Sequence, residues 1–194
     1  DKADTSNYRG LTLLNTTMEV FGRIILKQLT EYTEKHQLIH DNQNGFRANR
    51  DCVSHLIALQ QTLELYPRAR AVFVDVRKAY PAVYRPGLFA RLAQNGVVGP
   101  ILEALQEMYQ GNHSHVAVHG GKSDEYKVDN GLMEGALLSP WLYTVFINGL
   151  IEKLEHSGLG TKVGDRWLGA LYYADDLVLL AHTDEEMQGM LRIL

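Results

Sequence analysis

Between residues 17 and 36, apolar side chains return at helical spacing. Val20, Ile24, Ile25 and Leu29 carry the stripe, with basic residues such as Lys27 between them, and predict a long helix. His40 to Arg50 is polar, contains Gly45 and reads as a loop. Asp51 can cap a second helix that runs through Leu65 and ends at Pro67. Ala71-Val72-Phe73-Val74-Asp75-Val76 is short, apolar and β-branched, the pattern of a strand buried on both faces. Pro86 and Pro100 each open a helix, stopped by Gly96 and Gly111. His115 to His119 and Tyr126 to Asn130 flank Gly120-Gly121 and predict a hairpin. Ser139 as cap and Pro140 in the first turn predict a helix to about His156, ending before Gly158. Leu168 to Tyr173 and Leu177 to Ala181 are two apolar strands separated only by Ala174, Asp175 and Asp176. Thr183 and Glu186 form a capping box for a last helix.

Strands and helices alternate irregularly and include hairpins. The predicted class is therefore α+β with a mostly antiparallel sheet, not a doubly wound parallel one. No internal repeat is visible.

Composition narrows the reading without changing it. The chain has 194 residues, 45% hydrophobic and 22% charged, with a net charge of −4. These are ordinary globular values, which exclude collagen-like repetition, low complexity and wholesale disorder. The length suits one domain or two subdomains sharing a core. No apolar run reaches the roughly 18 residues of a membrane span. The first ten residues are charged and polar, unlike a secretory leader. The chain starts at Asp1 and stops within an amphipathic pattern, so it reads as a piece of a larger protein. Its one cysteine, Cys52, excludes an internal disulfide framework and a cysteine zinc site. The place of Cys52 at the start of a helix predicts a core role.

Charge is uneven. Residues 1–100 carry a net +4 and residues 101–194 a net −8. A basic half suits phosphate contact and an acidic half could hold metal, though solvated surface explains each as well. The eight histidines show no metal spacing, and His113, His115 and His119 read as hairpin surface. Gly120-Gly121 lacks the strand-to-helix surroundings of a phosphate loop.

The chemistry concentrates at Asp175 and Asp176. Adjacent carboxylates at a hairpin tip repel each other unless a cation lies there. Asp75, near the end of an apolar strand, is a second anomaly. If that strand neighbours the hairpin, three carboxylates converge at one sheet edge. Hard oxygen ligands of this kind suit Mg²⁺, and paired ions about 3.5–4 Å apart serve in-line phosphoryl transfer. The alternative is that the pair are turn residues and Asp75 a helix cap.

These residues resemble the reverse transcriptase family. Tyr173-Ala174-Asp175-Asp176 resembles its Y-x-D-D signature, and Phe73-Val74-Asp75-Val76-Arg77-Lys78-Ala79-Tyr80 its first catalytic block. Gly135-Ala136-Leu137-Leu138-Ser139-Pro140 resembles its G-x-x-L-S-P block. Tyr8-Arg9-Gly10-Leu11 and Asn44-Gly45-Phe46-Arg47 resemble two finger blocks. The order and gaps are most similar to non-long-terminal-repeat retrotransposon and group II intron-like enzymes, across nearly the whole chain.

The resemblance implies a right-hand polymerase, with fingers over 1–70, palm over 71–194 and the thumb absent. It implies RNA-directed DNA synthesis by nucleotidyl transfer, with an RNA template, a DNA primer and deoxynucleoside triphosphates as partners and no membrane. Asp75, Asp175 and Asp176 would be catalytic and, with the Val76 carbonyl, would hold two Mg²⁺ ions, Mn²⁺ substituting. Tyr80 would lie under the incoming sugar and select against a 2′-hydroxyl. Arg9, Arg47, Glu134 and Gly135 would face the nucleotide. Lys2, Arg50 and Tyr173 would contact nucleic acid. The family suggests nucleus or cytoplasm, while the sequence itself carries no address.

Three positions depart from the family pattern. Glu134 stands where a glutamine is usual, Pro81 where an aspartate often follows the aromatic, and Glu19 where a lysine is common. A carboxylate at Glu134 cannot donate as an amide does. Two other readings stay open on the sequence: a polymerase-like domain kept for binding without catalysis, and a nucleotide cyclase. The finger blocks and the L-S-P helix start argue against the cyclase.

Overall fold

A computed structural model describes residues 4, 8, 10–118 and 120–194. Lys2, Arg9 and His119 lie outside the described residues. The first helix, α1 (Thr16–Lys35), starts where the Asn15 side chain accepts the Met18 N–H at 2.8 Å. Glu19 sits in its first turn, where a carboxylate complements the helix dipole. Only part of the predicted stripe is buried. Gly22, Ile25, Leu29 and Thr33 face the core, while Val20 and Ile24 are exposed. The inward face is narrower than the apolar pattern, since Val20, Phe21 and Ile24 are left exposed by the described residues.

The second helix, α2 (Cys52–Leu65), is capped by Asp51, whose carboxylate accepts the Ser54 N–H at 2.7 Å. Cys52 is exposed, which corrects the core expectation. It falls in the first turn of a helix whose one buried residue is Thr62.

Strand β1 (Arg70–Asp75) is followed by α3 (Arg85–Gln94) and α4 (Pro100–Tyr109), each with proline in its first turn. The predicted hairpin is two short antiparallel ladders. Here β2 (His113–Ser114) pairs with β5 (Tyr126–Lys127), and β3 (Ala117–Val118) with β4 (Gly121–Lys122). Helix α5 (Ser139–His156) is the core axis, burying Trp141, Leu142, Tyr143, Val145, Ile151 and Leu154 among others. Its cap is Leu138, not Ser139. Ser139 is already helical and its hydroxyl donates to the Met133 carbonyl at 2.7 Å.

Beyond α5 lies a small ladder of β6 (Lys162–Val163) and β7 (Arg166–Trp167), which the hydrophobic pattern does not predict. Then come β8 (Ala170–Tyr173), β9 (Asp176–Ala181) and α6 (Asp184–Leu191). Thr183 caps α6 by accepting the Glu186 N–H at 3.2 Å, and the Glu186 carboxylate accepts the His182 N–H at 2.9 Å.

The main sheet is antiparallel, in the order β1-β9-β8. The central strand β9 buries Leu177, Leu179, Leu180 and Ala181. Strand β1 is an edge strand, not one buried on both faces. Phe73 is 72% exposed, opposite half-buried Val178, and only Val72 and Val74 pack inward. Among the described residues, no helix is long and apolar enough to cross a membrane.

Candidate active site

The antiparallel register sets the geometry of the acidic residues. Asp75, the last residue of β1, lies directly opposite Asp176, the first of β9. Asp176 also pairs with Tyr173 across the β8–β9 hairpin, leaving Ala174 and Asp175 as a two-residue turn. Three carboxylates therefore gather at one end of the sheet. Asp75 and Asp176 are exposed and Asp175 is half-buried. None of them makes an ion pair or side-chain hydrogen bond among the described residues. No described group of three His, Cys, Asp or Glu side chains is drawn together closely enough to hold a metal ion. Mutual repulsion of like charges favours such a spread arrangement.

Ala174 is the strained point. Its φ is +61°, in the left-handed region that an alanine enters at a cost of roughly 1–2 kcal/mol. A loop from the first third of the chain lies against it. Tyr172 N–H donates to the Asn42 carbonyl at 2.8 Å, and Asn44 N–H donates to the Tyr172 carbonyl at 3.0 Å. This parallel bridge at Gln43 extends the sheet beyond β8. Gln43 is fully buried, with 0% exposure. Its Oε1 accepts the Ala174 N–H at 3.1 Å and the Gly45 N–H at 2.8 Å, and its Nε2 donates to the Ala174 carbonyl at 3.4 Å. Gly45 allows the close approach, since a Cβ there would lie 2.2 Å from the Ala174 nitrogen.

Two arginines brace this loop. Arg47 donates Nε and Nη2 to the two Glu34 oxygens at 2.8 Å each, and Nη1 to the carbonyls of His40 and Gln43 at 3.0 and 3.2 Å. Arg50 donates to the Asp41 carbonyl and carboxylate at 2.7 Å each. The hydrogen bond from Arg47 holds the Glu34 carboxyl below its usual range, and that from Arg50 does the same for Asp41. The Arg47 side chain is buried in bracing the loop, while that of Arg50 braces it and stays partly exposed.

The other singled-out residues fall into two groups. Tyr80 is nearly buried, its ring 5.4 Å from that of Tyr143. The Tyr143 hydroxyl is buried without a hydrogen-bond partner among the described residues, and burial, with Asp175 and Tyr80 nearby, raises its pKa. Tyr173 is partly exposed beside the aspartates, and Val76 follows Asp75 at the strand end. Glu134 and Gly135 meet the N-terminal segment instead. Thr12 N–H donates to the Glu134 carbonyl at 2.7 Å, and a Cβ on Gly135 would lie 2.7 Å from a Leu11 methyl. Gln43, its neighbour Asn42, and Tyr143 were not singled out from sequence, and Asn44 entered only within the block Asn44-Gly45-Phe46-Arg47. The signal available was a polar run, Asn42-Gln43-Asn44, ahead of a glycine.

The chain matches, over residues 1–194, the family described as reverse transcriptase (RNA-dependent DNA polymerase). It belongs to the reverse transcriptase family. Similar curated proteins are retroelement polymerases. The probable RNA-directed DNA polymerase from transposon X-element of Drosophila melanogaster is 28% identical over 74% of this chain and 16% of that protein. The RNA-directed DNA polymerase from mobile element jockey of Drosophila funebris is 26% identical over 91% of this chain and 19% of that protein. The Pol polyprotein from type-1 retrotransposable element R2 of Nasonia vitripennis is 24% identical over 97% of this chain and 18% of that protein. The chain thus spans under a fifth of each of these relatives' length. Apo telomerase of Candida tropicalis, truncated from its C-terminal domain, superposes with a TM-score of 0.62 at 11% identity, over 91% of this chain and 36% of that one. Telomerase of Candida albicans in complex with a telomeric RNA fragment gives 0.58 at 12% identity, over 92% of this chain and 31% of that one. At such identities the superpositions speak for the fold.

Proposed function

We propose that this chain is the fingers and palm of an RNA-directed DNA polymerase of a non-long-terminal-repeat retroelement, with residues 1–70 as fingers and 71–194 as palm. The observation that carries the reading is the register of Asp75 opposite Asp176, with Asp175 in the adjoining turn, in a reverse transcriptase family chain. The substrates are deoxynucleoside triphosphates, a DNA primer and an RNA template.

By ligand chemistry the donor set suits divalent cations: three carboxylates, all hard oxygen ligands, with no ion pair or side-chain hydrogen bond among the described residues. Asp75, Asp175 and Asp176, with the Val76 carbonyl, would hold two Mg²⁺ ions, Mn²⁺ substituting. When bound, such ions activate the primer hydroxyl and neutralise charge on the triphosphate. The protein's own share is positioning. The sheet fixes two of the carboxylates at paired strand ends, and the Ala174 turn fixes the third. Tyr80, resting on Tyr143, is the aromatic proposed to meet the incoming sugar. Glu134, Gly135 and Arg9 are proposed to face the nucleotide, and Tyr173, Lys2 and Arg50 the nucleic acid. Arg47 is reassigned to bracing the loop under the turn, because its guanidinium nitrogens already have protein acceptors.

Primer extension on RNA by the full-length protein tests this reading. Extension that needs a divalent cation and Asp175 supports it, and a folded protein without extension refutes it.

A further inference from the structure

We propose that Gln43 is a positioning residue for the catalytic turn: its side-chain amide holds Ala174 in the left-handed conformation and so fixes where Asp175 is presented. The inference rests on the polymerase reading of the aspartates and adds a residue to it. A two-residue hairpin loop with positive φ usually takes glycine, asparagine or aspartate at that position, because other side chains crowd the backbone. This turn has alanine, so its shape must be imposed from outside. Gln43 supplies the imposing contacts. Its Oε1 accepts from the amides of both Ala174 and Gly45, at 3.1 and 2.8 Å, and its Nε2 returns a bond to the Ala174 carbonyl at 3.4 Å.

No water reaches this contact, since Gln43 is wholly buried and Ala174 nearly so. An apolar side chain of the same length would leave both amide donors without an acceptor, which buried groups do not tolerate. Gln43 also takes its place from the loop. Asn42 and Asn44 are hydrogen-bonded through their backbones to Tyr172, and the Gln43 carbonyl accepts from Arg47. The loop that precedes α2 and the turn that carries Asp175 are therefore one hydrogen-bonded unit. A merely structural glutamine would affect stability alone. A positioning glutamine must also affect metal affinity and turnover.

The test uses the full-length protein and Gln43→Met, which keeps side-chain length and removes the acceptor. The Ala174 amide is followed by NMR hydrogen exchange, Mn²⁺ affinity by electron paramagnetic resonance, and single-nucleotide incorporation by kcat and KM. In the wild type, the Ala174 amide should exchange as slowly as those of Leu177 and Leu179. In Gln43→Met it should exchange at least about tenfold faster, and Mn²⁺ affinity and kcat should each fall about 10–100-fold, as for other residues that orient ligands. The KM for nucleotide should stay within about twofold, since uniform binding is untouched. Adding Ala174→Gly to Gln43→Met should restore part of the Mn²⁺ affinity, because glycine adopts the turn without help. Wild-type exchange at Ala174 as fast as an open loop overturns the proposal, as does a folded Gln43→Met with unchanged Mn²⁺ affinity and kcat. If Gln43→Met fails to fold, the wild-type exchange rate decides. If the wild type neither binds Mn²⁺ nor extends a primer, the polymerase reading fails, while Ala174 exchange still decides whether Gln43 holds the turn.

Discussion

Gly45→Ala perturbs the site from outside it, by a distance the structure fixes. The added methyl would lie 2.2 Å from the Ala174 nitrogen and 2.8 Å from its Cα. Ordinary contact begins at 3.4 Å, so loop and turn must separate by about 1.2 Å. Both obstructing atoms belong to backbone, and no side-chain rotation relieves the overlap. Overpacking of this kind costs about 1–3 kcal/mol, a minority of the roughly 5–15 kcal/mol that holds a domain folded. The protein should stay folded, with Tm lowered by about 2–12 °C at the usual scaling for this size. Catalysis is steeper in distance: a misplacement of about 1 Å can cost about 100-fold. Single-nucleotide incorporation at saturating nucleotide should therefore fall about 100-fold, with circular dichroism unchanged. A Gly45→Ala protein that incorporates within about threefold of wild type would refute the idea that this loop sets the turn.

Three further outcomes follow from the same structure. Leu142→Ala empties a fully buried position on α5 and should cost about 2–5 kcal/mol by urea denaturation, while Val53→Ala on the exposed face of α2 should stay within about 0.5 kcal/mol. Acid should destabilise the fold. The Glu34 and Asp41 carboxyls are lowered by their arginine hydrogen bonds, so their stabilisation is present above the unfolded values and lost as pH falls through the folded ones. His55 is lowered from its ordinary 6.5 by burial and then by Arg50 and Arg166, so below 6.5 the unfolded chain takes the proton first. A urea midpoint that is flat or rising from pH 7.5 to about 4 contradicts these signs. Tyr80→Val should relax discrimination against ribonucleotides, read as the ratio of incorporation efficiencies, and an unchanged ratio removes Tyr80 from sugar selection.

Local signals in the sequence proved dependable where the physics is local. Asp51 and Thr183 cap the predicted helices because a side-chain oxygen needs only the amide three residues on. Pro86 and Pro100 mark helix starts for the same reason of range. The β8–β9 turn was visible because Ala174 and two carboxylates interrupt two apolar strands, although Asp176 itself opens β9. Burial was less legible. Phe73 is as apolar as half-buried Val72 and Val74, and Cys52 opens an apolar helical pattern, yet the edge position of β1 and the exposed first turn of α2 leave both in solvent. Ser139 looked like a cap, yet the chain turns helical one residue earlier and the hydroxyl serves Met133. Gln43 and Arg47 were the least legible. A polar run reads as solvent-facing loop, and nothing local to residues 42–47 announces partners at Glu34 or at Ala174, 131 positions away from Gln43.

We propose that the carboxylates brought together by β1 and the β8–β9 hairpin carry nucleotidyl transfer. The deciding assay is primer extension on an RNA template with Mg²⁺, using the full-length protein beside Asp75→Asn and Asp175→Asn. The wild type should extend the primer, and each variant, folded by circular dichroism, should fall to background. Extension by Asp175→Asn at the wild-type rate, or none by a folded wild type, would contradict the assignment.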